Sequence, residues 1–468
     1  MTAPVELAPR VVDEIVRRAG RPDFDRWAEQ LARCGYCSRP VRLRGQVVHQ
    51  SSNGRRSTYS TNDEPDRVLM IRCGNRRAAV CPSCSWEYAG DMWQLLYAGA
   101  TGGRKGVPES VRAHPLVFAT LTAPGFGPVH TTRDDRHGKR ARCRPPRGKP
   151  TLCPHGRPSW CNAIHADDDP RLGQPLCVDC YDYPAHAAFN WWAPELWRRF
   201  TITLRRVLAR NAGLTSKAFA ARCRVSFVKV AEFQRRAVVH FHGLIRLDAP
   251  GDGFAPPELK LSADDLAAAI AEAVSLVRLV VDMPDGTGLI LRFGEQTDTQ
   301  AINGGLVGEM TPEHAAAYIA KYATKAADDF GLTGGRLTPD ALPSLDVSAH
   351  IARVVWTCWQ LGEHDGYEGL RRWLHMLGFR GHFASKSRRY STTLGALRNE
   401  RREYRRHQAA EQVRELLGDD ETTLVISRWD FAGVGYLTNG DVALALSAAA
   451  RARERRRAAH DAARNADY

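Results

Sequence analysis

The chain has 468 residues, 43% of them hydrophobic, with 66 Lys+Arg against 52 Asp+Glu and a formal net charge of +14. That apolar fraction excludes wholesale disorder, and at roughly 100–200 residues per domain the length predicts two to four domains. No stretch approaches the ~18 uncharged apolar residues of a membrane span, and no basic-then-apolar leader opens the chain, so a cytoplasmic protein without a membrane partner is expected. The positive charge points to an acidic partner, nucleic acid foremost, because basic surface neutralises phosphates and releases counterions. The competing reading is an Arg- and Ala-rich composition that binds nothing.

Ten of the twelve cysteines lie before residue 181, and in a cytoplasmic chain clustered cysteines read as metal ligands rather than disulfides. Residues 1–110 carry Cys34-Gly-Tyr-Cys37, then Cys73, then Cys81-Pro-Ser-Cys84. Each CxxC knuckle turns two sulfurs toward one ion, so Cys34, Cys37, Cys81 and Cys84 are the expected ligands of a structural zinc, with Cys73 as an alternative. An apolar run after Cys84 predicts a helix leaving the second knuckle.

Residues 111–335 form the next region. The run Pro115–Pro124 is apolar, β-branched and ended by Pro-Gly, which predicts a buried strand. Residues 131–186 then interrupt the pattern with Arg-, Pro- and Gly-rich loop chemistry. They bring Cys153, Cys161, Cys177 and Cys180, with His155 and His165 nearby, as a second zinc module inserted in a larger domain. Phe189–Asn211 predicts a helix whose tryptophan-rich stripe packs as core. Two strands follow, Arg224–Gln234 and Val238–Leu247, joined by a connector short enough for a hairpin. Residues 262–282 predict an amphipathic helix, Leu289–Gln296 a strand, and Thr311–Ala327 a helix with Thr311 as N-cap and Pro312 at its first position. The order suits an α+β fold, an antiparallel sheet with helices packed on it.

Residues 336–468 are basic. Between Arg371 and Arg406 there are 11 Lys+Arg and 2 acids, including Arg380, Lys386, Arg388 and Arg389 among aromatic residues. Basic residues interleaved with aromatics suit phosphate contact and base stacking, so this region is expected to bind DNA. A solvated basic helix is the plain alternative.

Two motifs carry chemistry. In His240-Phe241-His242, alternation along a strand sends both imidazoles to one face and Phe241 to the other. Glu232, eight positions upstream on the paired strand, can approach them, and two His with one carboxylate leave positions open on a cation for a phosphate oxygen. Mg²⁺ or Mn²⁺ fits that role. In Tyr318-Ile-Ala-Lys321-Tyr322-Ala-Thr-Lys325, helical spacing places two phenols one turn apart beside two ammonium groups. A nearby ammonium and a metal-bound phosphate both favour the phenolate, which otherwise forms only near pH ~10. Either motif alone also fits packed histidines or an ordinary amphipathic helix.

Together these motifs resemble the HUH family of DNA-nicking enzymes. Phe118-Ala-Thr-Leu-Thr-Ala-Pro124 is similar to that family's first motif, Val239-His-Phe-His242 to its metal-binding second, and Tyr318–Lys325 to the two-tyrosine form of its third. The segments Cys73–Cys84 and Leu377–Ser391 resemble actinobacterial rolling-circle replication initiators of plasmids and integrative elements. The resemblance implies a five-stranded antiparallel sheet flanked by helices, of the ferredoxin/RRM-like kind. It implies a nickase that attacks the origin through a 5′-phosphotyrosine, with Tyr322 the first choice of nucleophile and Tyr318 a second. Lys321 and Lys325 would assist, and Glu232, His240 and His242 would hold the metal, with Glu309 and Glu313 as fallback acids. The partners would be origin DNA, duplex and single-stranded, and a host helicase and polymerase. Rival readings are a conjugative relaxase, a two-tyrosine transposase, or a zinc-containing DNA-binding regulator without catalysis.

Overall fold

The computed structural model describes residues 7–51, 56–146, 148–251, 253–302, 310–322, 330, 332, 337–417 and 422–466, with side chains at all of these except residues 51, 322, 405–406, 408–417, 422–424, 460 and 463–466. The chain divides into two compact units, Met92–Thr392 and a second made of Met1–Asp91 with Thr393–Tyr468. The sequence boundaries at 110 and 335 fall elsewhere. The two ends of the chain share one unit, a pairing of distant segments that composition does not reveal.

Met92–Thr392 is built on a five-stranded sheet. Its strands are β1 (Leu116–Leu121), β2 (Arg224–Phe233), β3 (Val239–Asp248), β4 (Thr297–Ala301) and β5 (Ala384–Lys386), in the order β5-β2-β3-β1-β4. All neighbours are antiparallel. The inner strands are β-branched and apolar, so they bury both faces. One face, with Ala119, Ala231, Phe241 and Ile245, packs under helices α1 (Tyr183–Asn211), α2 (Ala263–Leu276) and α4 (Ala349–Leu361) in a single core. Leu196, Phe200 and Leu204 of the α1 stripe are fully buried there, which agrees with the expected core role. Helix α3 (Pro312–Tyr322) contacts β2 and β3.

Three elements differ from expectation. The helix predicted to reach residue 282 stops at Leu276, and Leu279–Asp282 instead pairs with Gly288–Leu291 in a separate hairpin. The edge strand β4 is Thr297–Ala301, whose polar Thr-Asp-Thr-Gln run lacks apolar alternation because it lies at a sheet edge with no fully buried residue. The opposite edge, β5, comes out of the basic segment. Residues 131–182 contain no helix or strand among those described. Isolated bridges such as Arg144↔Cys161 and Leu152↔Pro158 organise them instead.

In the other unit, Val41–Ser51 pairs with Thr422–Val434 on one side and with Arg56–Ser60 on the other, and Leu69–Ile71 also pairs with it. Helices Pro9–Ala19, Phe24–Arg33, Leu394–Leu417 and Asn439–Ala466 complete the unit. Arg18, 5% exposed, donates to Asp441 at 2.6 Å and to Asp66 at 2.8 Å, so one guanidinium ties three segments together. The helix Pro82–Thr101 leaves the second cysteine knuckle as expected.

Candidate functional site

The β2–β3 hairpin sets the site. Gln234 N–H donates to the Val238 carbonyl (2.9 Å) and Ala237 N–H to the Gln234 carbonyl (2.7 Å), closing the turn with Ala237 at φ 63°. A left-handed Ala costs roughly 1–2 kcal/mol, so the surroundings must hold it. They do: fully buried Asn190 of α1 donates to the Ala237 and Leu377 carbonyls and accepts from Val239 N–H (3.0, 2.9 and 3.0 Å). The resulting register sets Glu232 opposite His240 and Val230 opposite His242. Directly opposed residues of an antiparallel pair share a face, so the carboxylate and both imidazoles converge.

Glu232 Oε2 lies 3.2 Å from His240 Nε2 and 3.3 Å from His242 Nε2. These three groups could hold one metal ion. His242 Nδ1 is 3.0 Å from Thr120 Oγ1 on β1, which fixes the ring and leaves Nε2 toward Glu232. Burial lowers the His240 pKa against the opposing pull of Glu232, which favours the neutral ring that metal binding requires. The role of Thr120 was not visible in the sequence beyond its place in the Phe118–Pro124 motif.

Helix α3 begins where its sequence says: Thr311 Oγ1 accepts from His314 N–H at 3.2 Å. Glu313 pairs with Arg112 at 2.8 Å and takes no part in the His–Glu cluster. Buried Ala315, Ala316 and Ile319 seat the helix. Tyr318 is 41% exposed, and its ring centroid is 5.5 Å from those of His242 and Phe118, edge-on to both. Lys321 is exposed on the same helix. The Tyr322 side chain, Lys325 and Glu309 lie outside the described residues.

Two open cavities meet at the hairpin turn. One of about 820 Å³ is lined by Glu232, His240, Arg235, Asp346 and the stretch Asp168–Leu172. The other, about 700 Å³, is lined by Arg144, Arg235, Arg236 and Arg292. Leu172, Gln234 and Arg235 belong to both. Arg236 is spent on structure, donating to the Pro124 and Ala123 carbonyls, whereas Arg144, Arg235 and Arg292 are exposed.

The cysteines gather into three groups. Cys37, Cys73, Cys81 and Cys84 face one centre. Cys34 stands outside that group, its thiol directed to the Leu31 carbonyl at 3.3 Å, and Cys73 holds the fourth position. Cys153, Cys177 and Cys180 gather with His155, while Cys161 belongs to a different set with His130, Cys143 and His165. His130 and Cys143 escaped the sequence reading because neither sits in a short-spaced pair.

Much of the basic aromatic segment is engaged in the fold. Phe379 and Tyr390 are fully buried, so neither can stack on a base. Arg246, also fully buried, holds the Tyr390 carbonyl at 3.1 Å and Asp248 at 2.6 Å, anchoring the segment to the sheet. Lys386 donates to the carbonyls of Arg388 and Ser391 (3.0 and 3.1 Å), and burial lowers its pKa to about 8. Arg380 stacks over Trp191 and Trp192 (4.2 and 5.0 Å), and Arg389 donates to the Gly251 carbonyl. Of the four proposed DNA contacts, Arg380 and Arg388 are exposed, and Arg380 is already stacked on two tryptophans.

No described helix is long and apolar enough to cross a membrane. The family described as "Replication initiator protein, pSAM2" matches residues 23–450. A replication initiator protein of Streptomyces ambofaciens is 41% identical over 98% of this chain and 97% of its own length. No solved structure matches. By that near-complete match and that identity, the chain belongs to the pSAM2 family of replication initiator proteins.

Proposed function

We propose that this replication initiator is a site-specific, metal-dependent DNA nickase and strand transferase of the HUH type that starts rolling-circle replication. The observation that carries the reading is the convergence, on one face of β2 and β3, of Glu232, His240, His242 and the ring of Tyr318 at the edge of an open cavity. A Mg²⁺ or Mn²⁺ ion bound by the three side chains would supply Lewis acidity to a scissile phosphate. The protein's own groups do the rest. A tyrosine oxygen of α3 forms a bond to phosphorus, its proton passes to solvent, and the P–O3′ bond breaks as the leaving O3′ takes a proton from solvent. The product is a 5′-phosphotyrosine with a free 3′-hydroxyl for a host polymerase. Resemblance favours Tyr322 as the first nucleophile. The position of Tyr318 beside His242 supports its use in the second transfer that rejoins the displaced strand. The exposed arginines of the neighbouring cavity, Arg144, Arg235 and Arg292, suit the phosphates of the incoming strand. Cys37, Cys73, Cys81 and Cys84 suit a structural zinc: the Cys37–Cys81, Cys37–Cys84 and Cys73–Cys84 sulfur separations of 3.7–3.8 Å match the ~3.8 Å edge of a tetrahedron with Zn–S near ~2.3 Å.

The test is covalent capture of an oligonucleotide carrying the element's own origin. Tyr322→Phe is expected to lose the first adduct and keep duplex binding, and Tyr318→Phe to cut but fail to rejoin. An undiminished adduct in Tyr322→Phe removes it as first nucleophile. His240→Ala is expected to lose nicking of supercoiled DNA at every metal concentration. Full nicking by that variant, or by wild type in excess chelator, refutes the metal site, and no nicking by wild type at any metal concentration returns the protein to the class of zinc-containing regulators.

A further inference from the structure

We propose that residues 130–180 are a cross-braced module holding two zinc ions, one on His130, Cys143, Cys161 and His165 and the other on Cys153, His155, Cys177 and Cys180. The ligand atoms of each set lie within 4.8 Å of one another. In the first set His130 Nδ1 and His165 Nε2 are 3.1 Å apart, and Cys161 Sγ and His165 Nε2 3.5 Å. In the second, His155 Nδ1 is 3.2 and 3.8 Å from the Cys180 and Cys177 sulfurs. Tetrahedral zinc with Zn–N near ~2.0 Å and Zn–S near ~2.3 Å separates its ligands by roughly ~3.3–3.8 Å. No disulfide competes, since all twelve cysteines are free.

A second feature supports the first site. His165, 1% exposed, directs Nδ1 to Asp169 at 2.7 Å, and Asp169 is held in turn by Arg171 at 2.8 Å. A carboxylate on the outer nitrogen fixes the tautomer and frees the inner one, the usual support of a zinc-bound imidazole. Among its described residues, Leu172 is buried but the segment contributes little other apolar core. Its Leu152, Ile164 and Val178 are exposed, while Cys143, His165 and Cys177 are buried. A loop-rich stretch with that distribution needs metal staples where a core would stand.

The ligands alternate by pairs along the chain: 130 and 143 for one ion, 153 and 155 for the other, 161 and 165 for the first again, 177 and 180 for the second. Neither site can form on a contiguous half of the segment. The brace has a use: His130 exchanges backbone hydrogen bonds with Gly173 and Gln174 (2.8 and 2.9 Å), and the Asp168–Leu172 stretch walls the cavity at Glu232 and His240. Gly173, at φ 84°, lies so close to the Arg235 carbonyl of the hairpin turn that a Cβ would collide with it. The module thus sets one wall of the candidate active site, and its existence does not depend on the cutting chemistry.

The experiment is zinc counting by elemental analysis on the full-length protein purified under reducing conditions without chelator, with X-ray absorption on the same samples. A Cys37→Ser/Cys81→Ser variant, which removes the separate four-cysteine group, is expected to retain two zinc ions per chain. Wild type is expected to show three sulfurs to one imidazole nitrogen on average, from nine cysteines and three histidines over three ions. His165→Ala should lose at least one ion, and His165→Cys, which keeps a ligand, should hold it. One zinc or none in the Cys37→Ser/Cys81→Ser variant overturns the proposal. So does an all-sulfur wild-type spectrum, which needs no variant to fold, or a His165→Ala count equal to wild type.

Discussion

Lys229 lies beneath the candidate site and offers a direct test of the fold around it. It sits on β2 opposite Gly243, on the face away from Glu232, His240 and His242. The residue is 4% exposed, with its ammonium 4.6 Å from the Phe241 ring centroid and 5.7 Å from that of Trp197. Burial lowers its pKa from 10.5 to about 8. At about 1.36 kcal/mol per pKa unit, holding the charge there costs about 3 kcal/mol at pH 7, and the rings return at most about 2. The native state binds fewer protons than the unfolded chain between pH 8 and 10.5, so this cost is complete below pH 8 and fades as pH rises. We predict that Lys229→Met, which keeps the length of the stem, stabilises the protein by about 1–3 kcal/mol at pH 7. Between pH 7 and about 9.5 the wild type should regain about 2 kcal/mol relative to the variant. Guanidinium unfolding followed by tryptophan fluorescence at both pH values measures this. A variant less stable at pH 7, or a gap that ignores pH, would mean that the ammonium is solvated or paired and that the sheet face is not packed as described.

Three further predictions address the sites. Thr120→Val removes the hydroxyl beside His242 Nδ1, so the metal concentration for half-maximal nicking should rise about 10–100-fold with the protein still folded; an unmoved midpoint denies Thr120 a positioning role. Asp169→Asn should weaken zinc at the His165 site by about 10–100-fold, read by competition with a chromophoric chelator, and release identical to wild type would detach Asp169 from that site. Arg235→Ala with Arg292→Ala should lower the slope of log affinity against log salt for a single-stranded oligonucleotide by about 1.4, roughly 0.7 per lost phosphate contact; an unchanged slope places the strand elsewhere.

The parts of the site written in short-range spacing were legible in the sequence. Period-two alternation put His240 and His242 on one face, the short connector put Glu232 across from them, and the Thr-Pro-Glu start announced α3. The parts assembled over distance were not. Thr120 reaches His242 across 122 positions, and Asn190 clamps the hairpin turn from another helix. Strand Thr297–Ala301 carries no apolar alternation because an edge strand need not bury a face, and Thr422–Val434 finds its partner at the other end of the chain. Cysteine spacing misled for the same reason: CxxC implies a shared ion, yet Cys34 turns away while the isolated Cys73 completes its group, and Cys161 joins residues 18 and 31 positions upstream.

The basic aromatic segment shows why composition alone does not separate surface from core. Residues 377–391 combine Arg, Lys, Phe and Tyr as a nucleic-acid surface does, yet Phe379 and Tyr390 are buried and Lys386 caps carbonyls. What the segment provides is β5 and, through the Leu377 carbonyl, a second anchor for Asn190. Asn190 in turn fixes Ala237 and Val239, the residues that set where β3 begins. A one-residue slip there would carry His240 and His242 to the opposite face, into the company of Lys229, and leave Glu232 facing Phe241. The segment that looks most like a DNA contact therefore helps hold the register in which two imidazoles and a carboxylate converge.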